Sequence, residues 1–425
     1  MNINKLMVGA MTASLGLFAY GNLPVVSNVT MTQDSSRNVT ITYTLDVPAV
    51  VTLDVQTNSA AGWVSIGGVA VSNAKGDVWK KMEAGSHTIN WRPDLSWPGY
   101  KIADGGARAV VTAWALNNTP DYMVVDISPN AQPETQRYYP SVDFLPNSEI
   151  GQAGAITNNP IYKASKIVMR KIMAKYVNWM MGSTQNEYGR NPSDSDQESL
   201  HQVFLTNNYY IGVFPVTQGQ WSLIQSARPT PSFENHQGNS DWPVENVSFN
   251  EIRMAANEIN AASGAEEWPA APYAGSFLDL LRTKTGIDFD LPSETEWEFA
   301  ARAGNGDTKY GDGSRISNDY RNLARLGHFA SSSTTAVGSY KPNDWGLYDV
   351  LGNVWEWCLD CRMVDPASLT GSVNTVSDGS GERMIRGGAW GYAGSYARPA
   401  CRFSVKSSTR ANLIGFRLAC KAGLD

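Results

Sequence analysis

The sulfur chemistry open to this 425-residue chain rests on four cysteines, Cys358, Cys361, Cys401 and Cys420. Cys358 and Cys361 form a Cys-x-x-Cys, a spacing that elsewhere serves redox exchange or metal binding. No second Cys-x-x-Cys and no neighbouring histidine completes a metal site, so a local disulfide or two buried thiols is the plainer expectation. Cys401 and Cys420 flank the terminal "GFRLA" and could bridge two adjacent strands, although spacing does not fix the pairing. The four histidines, His87, His201, His236 and His328, have no zinc-pair spacing. Glu296 and Glu298 resemble paired carboxylates for acid–base work, yet a helix cap accounts for Glu296, which removes the case for glycosidase-like catalysis.

The elements that must position these groups are marked by local signals. Ser248 with Glu251 three residues later makes a capping box, and Ile252, Ala255, Ala256 and Ile259 continue it at helical spacing. Ser293 and Glu296 make a second box, with Gly304 placed to cap the far end, and a third helix is expected around Gly275 to Thr285. Trp297, Phe299, Trp355 and Trp357 are expected in the core. From 25 to 128, short Val/Thr/Ile-rich runs alternate with period 2 between turn residues, the pattern of an all-β, immunoglobulin-like sandwich of structural or adhesive character. Residues 129–165 are polar and rich in Pro and Asn and read as a linker, and a second domain is expected over 166–425.

Composition narrows the partners. Fourteen Trp, 18 Tyr, 38 Gly and 21 Pro indicate loops pinned by large rings. A net charge of −6 with no basic cluster offers no footprint for nucleic acid. Residues 1–21, with Lys5 ahead of an apolar run to Tyr20, read as a signal peptide, implying a secreted, periplasmic or cell-surface protein. No later run approaches the roughly 20 apolar residues of a membrane span.

Seven stretches then occur in a recognisable order: "WMMGSTQNEYGRN", "YYIGVFPVTQGQW", "WPVENVSFNE", "FDLPSETEWEFAARAG", "NDWGLYDVLGNVWEWC", "RMIRGGAW" and "IGFRLA". From about Val168 to the C-terminus the chain resembles the formylglycine-generating enzyme, or sulfatase-modifying factor, family. The resemblance implies an α+β, C-type-lectin-like fold with little regular secondary structure. Oxidising members of that family place two cysteines after the "GG[SA]W" turn to bind copper(I), with a serine in the turn. Soft thiolates select Cu(I), and one must exchange with the substrate's cysteine. The matching positions here are Ala389 for the serine and Tyr392 and Ala397 for the cysteines, which leaves copper without its ligands.

The resemblance also implies a Ca²⁺ site with side-chain oxygens from Asp349 and Glu356 and carbonyls from Gly352 and Val354. A second family calcium site, opening at Asn322, lacks its downstream acidic residue. What remains after "GGAW" is a recognition-type mixture, Trp390, Tyr392, Ser395, Tyr396 and Arg398, suited to a peptide, glycan or cell-surface protein. The alternative for the tyrosines is that they fill the space of the missing cysteines. Three functions stay open: a binding protein without oxidase activity, a formylglycine-generating oxidase acting on a sulfatase cysteine, and a structural envelope component.

Overall fold

The computed structural model describes residues 23–103, 105–132, 135–146, 156–190, 198–253, 271–306, 309–317, 320–362 and 380–424. The expected signal peptide and the helical positions Ala255, Ala256 and Ile259 lie outside them. The chain divides into two compact units, one reaching Val124 and including Gln136–Asn159 and the last residues from Ala422, the other comprising Val125–Thr135 and Pro160–Lys421.

The first unit is mostly antiparallel sheet, with short helices at Gly68–Val71 and Pro93–Ser96. One sheet runs in the order Val26–Gln33, Val39–Leu45, Gly85–Trp91, Lys75–Gly76, and a second is built on Ala49–Ser59 with Gly62–Ser65, Lys80–Met82 and Ala107–Trp114 as partners. Period 2 does what it predicts in Val39–Leu45, where Val39, Ile41, Tyr43 and Leu45 are buried and the threonines between them are not. The linker reading of 129–165 needs correction. Arg137–Tyr139 forms a strand antiparallel to Tyr122–Val124, with Tyr138 and Tyr139 buried and the Tyr139 ring 5.2 Å from Trp79. Two large rings removed from water outweigh the polar residues around them. At the other end of the segment, helix Ile161–Ala164 belongs to the second unit, where Thr217 Oγ1 donates to the Lys163 carbonyl at 2.6 Å.

The second unit mixes short strands and short helices. Lys166–Ile172, Tyr209–Gly212 and Ala419–Lys421 pair antiparallel, and Val177–Met181 with His201–Leu205 makes a hairpin. The sheet that positions the site runs Arg402–Lys406, Glu382–Arg386, Trp355–Cys361, Ile414–Phe416, the last pair parallel. All seven residues of Trp355–Cys361 are buried, as are Trp297 and Phe299. Ser248 and Ser293 cap their helices with Glu251 and Glu296 reciprocating, and Thr217 with Gln220 adds a third such box. At the end of Glu294–Arg302 it is Ala303, at φ 49°, that first turns left-handed, with Gly304 following at φ 75°.

All four cysteines are buried and none is in a disulfide, so Cys358 and Cys361 are the two buried thiols of the expectation and the suggested Cys401–Cys420 bridge is absent. Cys358 and Cys361 stand three apart on strand Trp355–Cys361, whose pairing with Glu382–Arg386 is irregular between Trp357 and Cys361. Cys401 precedes Arg402–Lys406 and Cys420 lies in Ala419–Lys421, strands of different sheets.

A buried ionic set fastens helix Glu294–Arg302 to this sheet. Arg386 reaches Glu298 through Nη2 and Glu294 at 3.3 Å through Nη1, Arg402 holds Glu294 at 2.7 Å, and Arg302 holds Glu298 at 2.8 Å. Glu296, on the same helix, has only its capping bonds to Ser293, and burial pushes its carboxyl up to about 7 from 4.5. The raised folded value means that the native state loses stability as pH climbs from about 4.5 to about 7 and stays lowered above it. Glutamine serves a capping box equally well. Glu296→Gln is therefore expected to gain up to about 3 kcal/mol at pH 8, with the gain vanishing near pH 4.5, in paired denaturant titrations. A variant less stable than the parent at pH 8 would contradict this.

Candidate functional site

The site is built where two turns meet. Gly387 and Gly388, ending Glu382–Arg386, sit at φ 97° and 75°. A Cβ on Gly387 would come 3.0 Å from the Trp297 ring, and one on Gly388 would meet Ala397 at 3.0 Å, so both positions require glycine. The "GNVWEW" loop is stitched to this turn by Gly352 N–H to the Gly387 carbonyl at 2.7 Å and Trp390 N–H to the Asn353 carbonyl at 2.9 Å. On the other side, Ala330 and Ser331 donate to the Tyr392 and Trp390 carbonyls at 3.0 and 2.8 Å. A 3-10 turn over Gly394–Ala397 follows, closed by Arg398, whose Nε donates to the Ser395 carbonyl at 3.1 Å.

The positions where the resemblance places oxidation chemistry hold none. Ala389 and Ala397 are fully buried, and Ala397 packs into the core with Trp297, Cys358 and Met384. Tyr392 is half-buried, its ring 5.8 Å from Trp355 and 5.2 Å from Tyr396. Two of the remaining thiols sit in surroundings that disfavour a thiolate. Burial raises the Cys358 and Cys420 thiols well above their ordinary range, so neither supplies the thiolate that exchange or metal binding needs.

The residues expected to bind a ligand divide. Tyr396 is 44% exposed, and Trp390, Tyr392 and Ser395 are half-buried. Trp390 is fixed by its indole N–H on the Asn412 carbonyl at 3.0 Å. Arg398 is a correction: it is buried, with Nη1 2.7 Å from Glu187 and 2.8 Å from Glu198, and Nη2 2.8 Å from the other oxygen of Glu198. A guanidinium held by two carboxylates is structural and anchors the end of the segment. Phe403, 47% exposed with its ring 6.0 Å from Trp355, joins the face unannounced. Strand alternation could have found it, because Arg402 turns inward to Glu294 and so sends Phe403 outward.

The two side chains among the four calcium positions have other partners. Glu356 is buried and accepts from Arg417 at 3.0 and 2.8 Å and from the Trp297 indole at 2.6 Å. Asp349, at φ 55°, accepts from Gly338 N–H at 2.7 Å and from the Asn353 amide at 3.4 Å, and burial pushes its carboxyl up to about 6. Among the described residues no group of three or more His, Cys, Asp or Glu is gathered to hold a metal. A cation held by Asp349 and Glu356 would share Glu356 with Arg417.

Replacing Arg398 by Ala strands Glu187 and Glu198 in the interior and is expected to cost about 3–5 kcal/mol in denaturant unfolding. Tyr396→Ala, at the exposed tip of the same segment, should stay within about 1 kcal/mol of the parent. Equal losses from the two would refute the division into anchor and displayed residue.

Residues 172–422 match the family model of the sulfatase-modifying factor enzyme 1-like domain. A protein named serine/threonine-protein kinase pkn1 from Chlamydia caviae is 27% identical over 240 residues, 54% of this chain and 36% of that protein. A formylglycine-generating enzyme from Streptomyces coelicolor is 35% identical over 151 residues, 32% of this chain and 47% of the relative. A mouse protein named inactive C-alpha-formylglycine-generating enzyme 2 is 33% identical over 147 residues, 31% of this chain and 43% of its own length. The chain thus spans less than half the length of each of these relatives. Among solved structures, Treponema denticola variable protein 1 aligns over 60% of this chain and 95% of its own, at 25% identity and TM-score 0.46.

Proposed function

The chain belongs to the sulfatase-modifying factor enzyme 1-like family, and on that premise we propose that this member recognises a ligand where its oxidising relatives carry out chemistry. One observation carries the reading: the two cysteine positions are Tyr392 and a sealed-in Ala397, while Tyr392, Tyr396 and Phe403 line the outward side of the same segment. Aromatic side chains with few rotatable bonds lose little entropy on binding, which makes such a face effective for recognition. The backbone beneath them is held by main-chain bonds and by Arg398, so the rings are presented in place before the ligand arrives. The partner is a peptide, glycan or cell-surface protein met outside the cytoplasm, the compartment that the N-terminal signal-like segment suggests.

The competing reading is a formylglycine-generating oxidase, favoured by the similarity to the Streptomyces coelicolor enzyme. Its mechanism needs a thiolate pair that these positions do not supply. Incubating the purified protein with Cu(I), oxygen and a peptide containing Cys-x-Pro-x-Arg should leave the cysteine unchanged by mass spectrometry. Conversion to the aldehyde would restore the oxidase. In parallel, a Tyr392→Ala, Tyr396→Ala double variant should weaken any ligand found on glycan and peptide arrays by tenfold or more, at about 1 kcal/mol or more per lost hot-spot ring. Hits that ignore the double substitution, or no hits, would favour a structural envelope role.

A further inference from the structure

His236 lies in the loop between helices Gln218–Ile224 and Phe249–Ile252 and is 4% exposed. Its Nδ1 stands 3.0 Å from Glu245 Oε1, which also accepts the Phe233 N–H at 2.8 Å. Glu245 is wholly buried, and its Oε2 has no hydrogen-bond partner among the described residues. A carboxylate so placed selects the tautomer with the proton on Nδ1 and turns Nε2 into an acceptor, while a protonated ring would make Nε2 a donor. Nε2 itself has no partner among the described residues, and it is not sealed from solvent as Glu245 Oε2 is.

Three aromatic rings surround this imidazole: Trp390 edge-on at 5.8 Å, Trp242 at 6.2 Å and Phe233 at 6.4 Å. Phe233 is 50% exposed and Trp242 half-buried, and Trp390 leads along the chain to Tyr392 on the face described above. The arginine that acts on this pair, Arg228, is already held by Glu251 and by the Pro231 and Asn246 carbonyls. Glu234, next to Phe233, is exposed. An anionic ligand would meet a carboxylate here and no unpaired guanidinium.

We propose that His236, Phe233, Trp242 and Trp390 form a subsite for a neutral saccharide, with a sugar hydroxyl on His236 Nε2 and a C–H face of the pyranose against the aromatic walls. Glu245 acts as a positioning residue that fixes the imidazole. A neutral polyhydroxylated ring matches this chemistry because it offers both an apolar face and hydrogen-bonding groups of either sense. The inference rests on the recognition reading and names its ligand class.

The test uses the full chain against immobilised neutral oligosaccharides, hexamers of glucose, mannose, galactose and N-acetylglucosamine, with a random peptide library in parallel. A bound sugar is then titrated by calorimetry against the parent, His236→Gln, Phe233→Ala and the Tyr392→Ala, Tyr396→Ala double variant, with melting temperatures recorded. The expected result is a neutral sugar whose Kd weakens about tenfold in both His236→Gln and Phe233→Ala, the loss of about one hydrogen bond or one packed ring. If His236→Gln does not fold, Phe233→Ala decides, since its ring is half exposed. A sugar that binds both single variants as tightly as the parent, but is lost in the tyrosine double variant, overturns the subsite and leaves the recognition reading standing. A peptide hit with no sugar hit does the same. Silence on both arrays removes both proposals.

Discussion

The second unit depends on one buried guanidinium. Arg386 closes the ion pairs to Glu294 and Glu298 and also donates to the carbonyls of Pro399, Ala400 and Cys401 at 2.8, 3.2 and 3.0 Å. One side chain thereby joins the capped helix, the strand that leads into the glycine turn, and the backbone that leaves the segment after that turn. Charges buried in this way are tolerable only as a closed set, because each ion's desolvation must be offset by partners at hydrogen-bond distance. The set is completed by Arg302 and Arg402, and by Asp360, which accepts the Glu294 N–H at 2.6 Å. Arg417–Glu356 and Arg253–Asp290 repeat the device on neighbouring elements.

This framework holds the shape of the domain independently of the residues after the glycine turn. Nothing in the ionic set involves Ala389, Tyr392 or Ala397. The glycine turn leaves no room for a Cβ beside Trp297 and Ala397. The reacting groups are thus separable from the scaffold, and fold and activity have to be argued from different residues.

What could be read in advance was local or periodic. Ser248–Glu251 and Ser293–Glu296 are each contained in four residues, and the alternation in Val39–Leu45 repeats every two, so a short window holds the whole signal. The seven ordered motifs carried the family, because each is a short contiguous run and their order survives in the chain. What escaped were contacts whose halves are far apart in the chain. Arg398 looks like a free cation beside tyrosines until Glu187 and Glu198, more than 190 positions earlier, neutralise it. Glu356 resembles a metal ligand until Arg417 is brought to it by the parallel pairing of Ile414–Phe416 with Trp355–Cys361. Tyr138–Tyr139 sat in a stretch whose average polarity concealed two buried rings.

The main-chain stitching of the segment after the glycine turn has a further consequence. Its backbone is fastened by N–H and carbonyl groups from Ala330, Ser331 and Asn353, by its own 3-10 turn, and by Arg398 beyond it. None of these fasteners uses the side chains of Tyr392, Ser395, Tyr396 or Phe403. The path of the chain there is set by the backbone and by Arg398, so what those four side chains display is decoupled from what holds the segment in shape.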